Sequence, residues 1–129
     1  MKFSAICTLV CSSLAILAAS ASEPLRGEKL FMMHCASCHS LGCNRIGPKL
    51  EGVFGRRAGS VIDYKSYSPA MKGSEIVWSE ETIDAFIYDP DKVVPGTPMA
   101  AVVFIEKAND RQDIVAYLRR QDKQNDSCQ

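Results

Sequence analysis

The stretch Cys35-Ala36-Ser37-Cys38-His39 constrains this chain more than any other feature. Two cysteines separated by two residues, with a histidine directly behind, have the spacing at which a c-type haem is attached covalently. The two thiols add across the two vinyl groups of the porphyrin, and the adjacent imidazole is then held beneath the iron as its proximal ligand. A zinc site would want four ligands, usually from a second Cys or His pair. The other histidine, His34, directly precedes the motif and cannot easily turn to the same metal. A thioredoxin-like redox pair would sit in a β-α pattern, and none surrounds Cys35. The motif is therefore read as one haem c, bound through Cys35 and Cys38, with His39 on the iron.

The N-terminus reads as a targeting segment. Lys2 is a short positive start, Phe3 to Ala19 is mostly apolar, and Ala19-Ser20-Ala21 is a small-x-small site. This is the pattern of a secretory signal peptide. The alternative is an uncleaved membrane anchor, but Ser4, Thr8, Ser12 and Ser13 dilute an apolar run only marginally long enough to span. The expectation is cleavage after Ala21, leaving 22–129 as a single domain with a short C-terminal tail, exported to a bacterial periplasm. Stable membrane insertion after cleavage is not expected. At 129 residues the chain is too short for a multi-domain enzyme, and a hydrophobic fraction of 47% argues against disorder. The formal net charge is +0, and loss of Lys2 leaves 14 basic against 15 acidic residues. That balance excludes the strong basic excess of a nucleic-acid binder.

Helical signals dominate the remainder. Ser22 can cap a first helix with Pro24 in its first turn, where a missing N–H is harmless. Leu25, Leu30, Phe31 and Met33 give it an incomplete apolar stripe. Gly27 in its middle has two readings: a close helix–helix contact or a fraying first turn. Residues 41–77 are punctuated by glycine and read mostly as loop, with a short helical turn around Ser68 to Lys72. So long a loop needs something to wrap, and a haem is the obvious candidate. Ser79 caps a segment from Glu80 to Tyr88, which Asp89-Pro90 ends. Val93 to Met99 reads as a stiff, extended loop. Asn109 can cap a last helix to about Arg120, with Ile114, Val115 and Leu118 on its apolar face.

The iron needs a second axial ligand. Met32 and Met33 lie within a turn of Cys35 and read as core or surface residues, and Met71 is a weaker contender. Met99 lies 60 residues after His39 on a loop stiffened by Pro95 and Pro98. From position alone it is equally a ligand or a core methionine filling a gap.

The chain resembles class I cytochrome c, close to the mitochondrial cytochrome c and bacterial cytochrome c2 group. The resemblance runs from about Gly27 to Arg120. It rests on Gly27 with Phe31, the Cys35 to His39 motif, Gly47-Pro48-x-Leu50-x-Gly52-x-Phe54-Gly55-Arg56, Tyr64, Tyr67, Trp78, Pro95-Gly96-Thr97-x-Met99 and Ala116-Tyr117-Leu118. It implies an all-α cytochrome c fold: three main helices, short helical turns and long loops around the haem. It implies that His39 and Met99 are the axial ligands and that the Pro48 carbonyl orients the His39 ring. It implies that Arg56, Tyr67, Trp78 and Thr97 tie down the haem propionates. It places Gly27 at a crossing of the first and last helices, with Phe31, Ile114, Tyr117 and Leu118 around it. Two departures stand out. Phe86 replaces a tyrosine that hydrogen-bonds the Met sulfur, and Ala101 replaces an exposed phenylalanine near the haem edge.

The function that follows is a diffusible electron carrier and not an enzyme. Its partners by resemblance are a cytochrome bc1 complex as donor and a cytochrome oxidase or photosynthetic reaction centre as acceptor, met by transient contact with a monomer. A haem enzyme or gas sensor would need an open or labile sixth position. Cys43 and Cys128 remain after the leader and the haem motif take their cysteines. Free exposed thiols do not persist readily in an oxidising compartment, so a disulfide between the two is expected, against two independent thiols or an intermolecular bond.

Overall fold

The computed structural model describes residues 23–122. Its helices, in chain order, are α1 (Glu23–His34), α2 (Pro69–Gly73), α3 (Glu80–Tyr88), α4 (Pro90–Val93) and α5 (Ala108–Gln121), with a 3-10 turn at Pro98–Ala101. Strand pairing among the described residues is limited to one antiparallel bridge, Arg57 with Val77. The all-α expectation therefore holds. Ser22, Cys128 and the leader lie outside the described residues.

The two longest helices meet near their middles, and a glycine makes this possible. A Cβ built on Gly27 would lie 2.2 Å from the Asp113 carbonyl oxygen and 2.9 Å from Tyr117 Cβ. Only a residue without a side chain lets α1 approach α5 so closely, so the close-contact reading of Gly27 is right and the fraying one is not. Around this point Phe31, Ile114, Tyr117 and Leu118 are buried, and the rings of Phe31 and Tyr117 lie 5.3 Å apart. Arg26 clamps the crossing from outside by pairing with both Asp110 and Asp113. The opposite face of α1 carries Leu25, Met32 and Met33, all exposed, which makes both methionines surface residues.

α3 begins with a reciprocal cap. Ser79 Oγ accepts the Thr82 N–H at 3.2 Å, and Thr82 Oγ1 accepts the Ser79 N–H at 2.7 Å. Ile83, Phe86 and Ile87 turn its inner face to the core, and Phe86 meets the Trp78 indole edge-on at 5.0 Å. α2 follows Ser68, whose Oγ accepts the Met71 N–H at 3.1 Å. Gly59, at φ +69, brings the long loop against α2, where a Cβ would lie 2.5 Å from the Met71 carbonyl oxygen.

Two local readings of the sequence are corrected. Val93 to Met99 is not uniformly extended: Val93 closes α4, and Met99 sits in the 3-10 turn. Both elements start on a proline, whose fixed φ suits a first helical position. Asn109 does not cap α5. The helix starts at Ala108 after Lys107, with no side-chain cap there; the Lys107 carbonyl accepts the N–H groups of Asp110 at 3.1 Å and Arg111 at 3.2 Å, so the first turn begins one residue before Asn109.

Candidate haem site

The attachment motif grows directly out of α1. Cys35 N–H donates to the Phe31 carbonyl at 2.8 Å, continuing the helical pattern, and the Cys35 carbonyl then accepts the N–H groups of Cys38 and His39 at 3.1 and 2.9 Å. This tight turn carries both thiols and the imidazole on one short stretch. Neither Cys35 nor Cys38 is in a disulfide. Burial, with Cys38 alongside, pushes the Cys35 thiol up to about 11, so it stays protonated.

His39 is held in one orientation. Its Nδ1–H donates to the Pro48 carbonyl at 2.8 Å. That bond assigns the proton to Nδ1 and leaves Nε2 with a free lone pair, the form an iron ligand requires. Burial holds the imidazole below its ordinary pKa, opposed in part by the Pro48 hydrogen bond. The ring packs flush on Gly47, where a Cβ would lie 2.3 Å from Cε1 and 2.7 Å from each ring nitrogen. Gly47 is anchored in turn by its N–H to the Cys38 carbonyl at 2.7 Å. This contact with Gly47 was missed at the sequence level, because a glycine in a glycine-rich loop carries no local mark of what it faces.

Met99 occupies a pinned turn. Its N–H donates to Thr97 Oγ1 at 3.4 Å, and its carbonyl accepts from Val102 and Val103 at 3.0 Å each. Thr97 is buried at 4% exposure. Met99, Met71, Leu41, Leu50, Phe54 and Ala70 are partly buried and pack against the core. Their apolar chemistry, with two cysteines outside any disulfide and a neutral imidazole, fits a porphyrin.

The four residues assigned to the propionates are placed as follows. Arg56 donates to the carbonyls of Glu51 at 2.7 Å and Lys49 at 2.9 Å. Tyr67 Oη accepts the Val61 N–H at 3.3 Å, and its ring meets Tyr64 edge-on at 4.7 Å. Burial raises the Tyr67 pKa. Trp78 is buried against Phe86, and Thr97 serves the Met99 turn. Tyr64 has a role that its residue type alone did not suggest: its hydroxyl donates to the carbonyl of Ile46, just before Gly47, and so braces the segment behind His39.

Comparison with known proteins identifies the family. The cytochrome c family model matches residues 25–122. Cytochrome c of Gibberella zeae is 43% identical over 97 residues, covering 73% of this chain and 90% of that protein. Cytochrome c of Euglena viridis is 46% identical over 96 residues, covering 73% and 92%. The solved structure of cytochrome cH from Methylobacterium extorquens superimposes with a TM-score of 0.69 at 37% identity, covering 75% of this chain and 97% of that one. The chain belongs to the cytochrome c family: it is a haem-carrying electron-transfer protein, not an enzyme, with its haem c held through Cys35 and Cys38.

Proposed function

We propose that this protein is an exported, monomeric electron shuttle whose iron is held by His39 and Met99, working in a bacterial periplasm between a bc1-type complex and a cytochrome oxidase or photosynthetic reaction centre. The observation that carries the reading is the His39 ring, locked by the Pro48 carbonyl with Nε2 left free. When bound, the haem supplies a one-electron Fe(II)/Fe(III) couple whose potential Met ligation and burial both raise. His39 presents Nε2 at a fixed angle, and the Thr97 and Val102/Val103 bonds hold the Met99 backbone in a single turn. Leu41, Leu50, Phe54 and Met71 give the site apolar walls. Arg56, Tyr67, Trp78 and Thr97 are assigned to the propionate side on the strength of the family resemblance.

The export reading rests on the leader at 1–21. No helix among the described residues is long and apolar enough to cross a membrane. The segment from Pro95 to Ile105 carries no charge, and Pro98, Ala100, Ala101 and Val102 are exposed in it. A partner docking there meets a small apolar patch, as suits a transient contact, and with a near-neutral chain its rate is expected to depend weakly on salt. Pairing of Cys43 with Cys128 is supported by Cys43 being disulfide-bonded, with neither Cys35 nor Cys38 as its partner.

The test is an absorption spectrum of the purified protein in both oxidation states. Sharp reduced α and β bands, with the weak far-red sulfur-to-iron band in the oxidised form, are expected. Loss of that band, or ready binding of carbon monoxide, would overturn the ligand assignment and favour an open-site enzyme or sensor.

A further inference from the structure

The segment carrying Met99 is fastened at its two ends by different means. At the start, Gly96 N–H donates to Asp91 Oδ1 at 2.8 Å, and the turn closes on Thr97. At the far end the chain runs from Val103 to Lys107, where Ile105 N–H donates to the Ile87 carbonyl in α3 at 3.0 Å. A side chain in the first turn of α5 supplies the remaining ties. Arg111 Nη1 donates to the carbonyls of Ile105 at 2.9 Å and Glu106 at 2.7 Å. Its Nε donates to Asp84 Oδ1 of α3 at 3.1 Å, and its guanidinium carbon lies 4.8 Å from the centre of the Tyr88 ring. The side chain is only 13% exposed. Tyr88 packs in turn on Phe104, ring centres 5.5 Å apart. One guanidinium thus joins α3, α5 and the end of the Met99 segment.

We propose that Arg111 latches the far end of the Met99 segment and so sets how readily Met99 leaves the iron. The inference rests on Met99 being the second ligand. Lifting Met99 away moves a segment whose far end is held at the Ile105 and Glu106 carbonyls. Those carbonyls must lose their donor, or the guanidinium must leave Asp84 and Tyr88. Either course leaves a mostly buried charge short of acceptors. Arg111 is therefore a positioning residue. Its planar fork reaches three acceptors and a ring face at once, which the single nitrogen of a lysine cannot. Arg119, on the same helix, makes a natural comparison. It pairs with Glu80 of α3 at 2.8 Å and lies 3.7 Å over the Phe54 ring, so it also joins α5 to α3 but holds no part of the Met99 segment.

Imidazole binding to the oxidised holoprotein, followed spectroscopically, reads the latch directly. Imidazole takes the sixth position only from molecules whose methionine has left, so its apparent affinity follows the open fraction. Arg111→Gln is expected to bind imidazole about tenfold tighter than wild type, the ratio one charge-assisted hydrogen bond sets. Arg111→Lys is expected to fall between them, and Arg119→Gln to stay within about twofold of wild type, as for an exposed ion pair. An unchanged affinity in Arg111→Gln overturns the proposal. So does an equal rise in Arg119→Gln, which would mean general loosening between α3 and α5. If Arg111→Gln does not mature, Tyr88→Leu removes the stacking face alone. It is expected to tighten binding by about two- to fivefold, the worth of an exposed to part-buried cation–π contact, and no change there also overturns the latch. The wild-type spectrum separates the two readings: a missing sulfur-to-iron band means Met99 is not the ligand, whereas a normal band with unresponsive variants means only the latch is wrong.

Discussion

Gly47 is a glycine because the His39 ring occupies the space its side chain would need. Gly47→Ala is expected to tilt the imidazole off the Pro48 carbonyl, cost about 1–3 kcal/mol of stability as an overpacked site does, and alter the oxidised spectrum. Denaturant titration beside that spectrum checks both effects. The same imidazole gives a pH dependence of known sign. Its folded pKa lies below the ordinary value of 6.5, so between the two values the unfolded chain binds a proton that folded His39 refuses. Stability from this group is complete above 6.5 and is lost as pH falls from there toward the folded value. Iron ligation adds to the effect, since a protonated Nε2 cannot coordinate. Acid titration of the denaturation midpoint is expected to show the decline, and a His39 contribution that grows on acidification would contradict it. The thiols and the imidazole were legible in the sequence, because the attachment chemistry demands fixed neighbours. The role of Pro48 came only through family resemblance, and the Gly47 contact was hidden because it depends on the path of the chain between the two residues.

At the level of elements, caps were legible and crossings only partly so. Ser79 and Asp89-Pro90 bound α3 by signals that act within a few residues, and those ends were read correctly. Asn109 is the counter-example. Its residue type favours a cap, but α5 starts one residue earlier, with the Lys107 carbonyl accepting the Asp110 and Arg111 N–H groups. Pro98 misled for another reason: it reads as part of a stiff, extended loop, yet it opens a 3-10 turn. The contrast between local and distant determinants also ranks two substitutions. Ser79→Ala removes one cap and is expected to cost about 1 kcal/mol. Gly27→Ala puts a methyl carbon into the Asp113 carbonyl, which is backbone and cannot swing aside. It is expected to cost about 3 kcal/mol, at the upper end for overpacking. Thermal denaturation of the two variants side by side checks the order, and a cost for Ser79→Ala equal to that for Gly27→Ala would contradict it.

For the whole molecule, the proposed Cys43–Cys128 bond closes an 86-residue loop. Its reduction is expected to lower stability by about 4.6 kcal/mol in the chain-entropy picture, while leaving the visible spectrum intact, because neither sulfur belongs to the iron site. Denaturation with and without a mild reductant, monitored by the visible bands, tests it. Equal midpoints would argue for independent thiols.

The crossing of α1 and α5 has a topological consequence. It brings together the two ends of the described chain, so that nearly everything between Phe31 and Ile114 is a single excursion out and back. Arg26 reaches partners 84 and 87 positions away, and the entropy of closing so large a loop must be met before this contact can hold. Once formed, the contact acts as a clasp. A cut in the exposed loop between Ile62 and Ser66 leaves two pieces, one carrying Cys35, Cys38 and His39 and the other Met99. Both halves of the crossing remain, one on each piece, so the ligands of a single iron can be drawn from two pieces of a cut chain, held together at Gly27 and by the proposed Cys43–Cys128 bond.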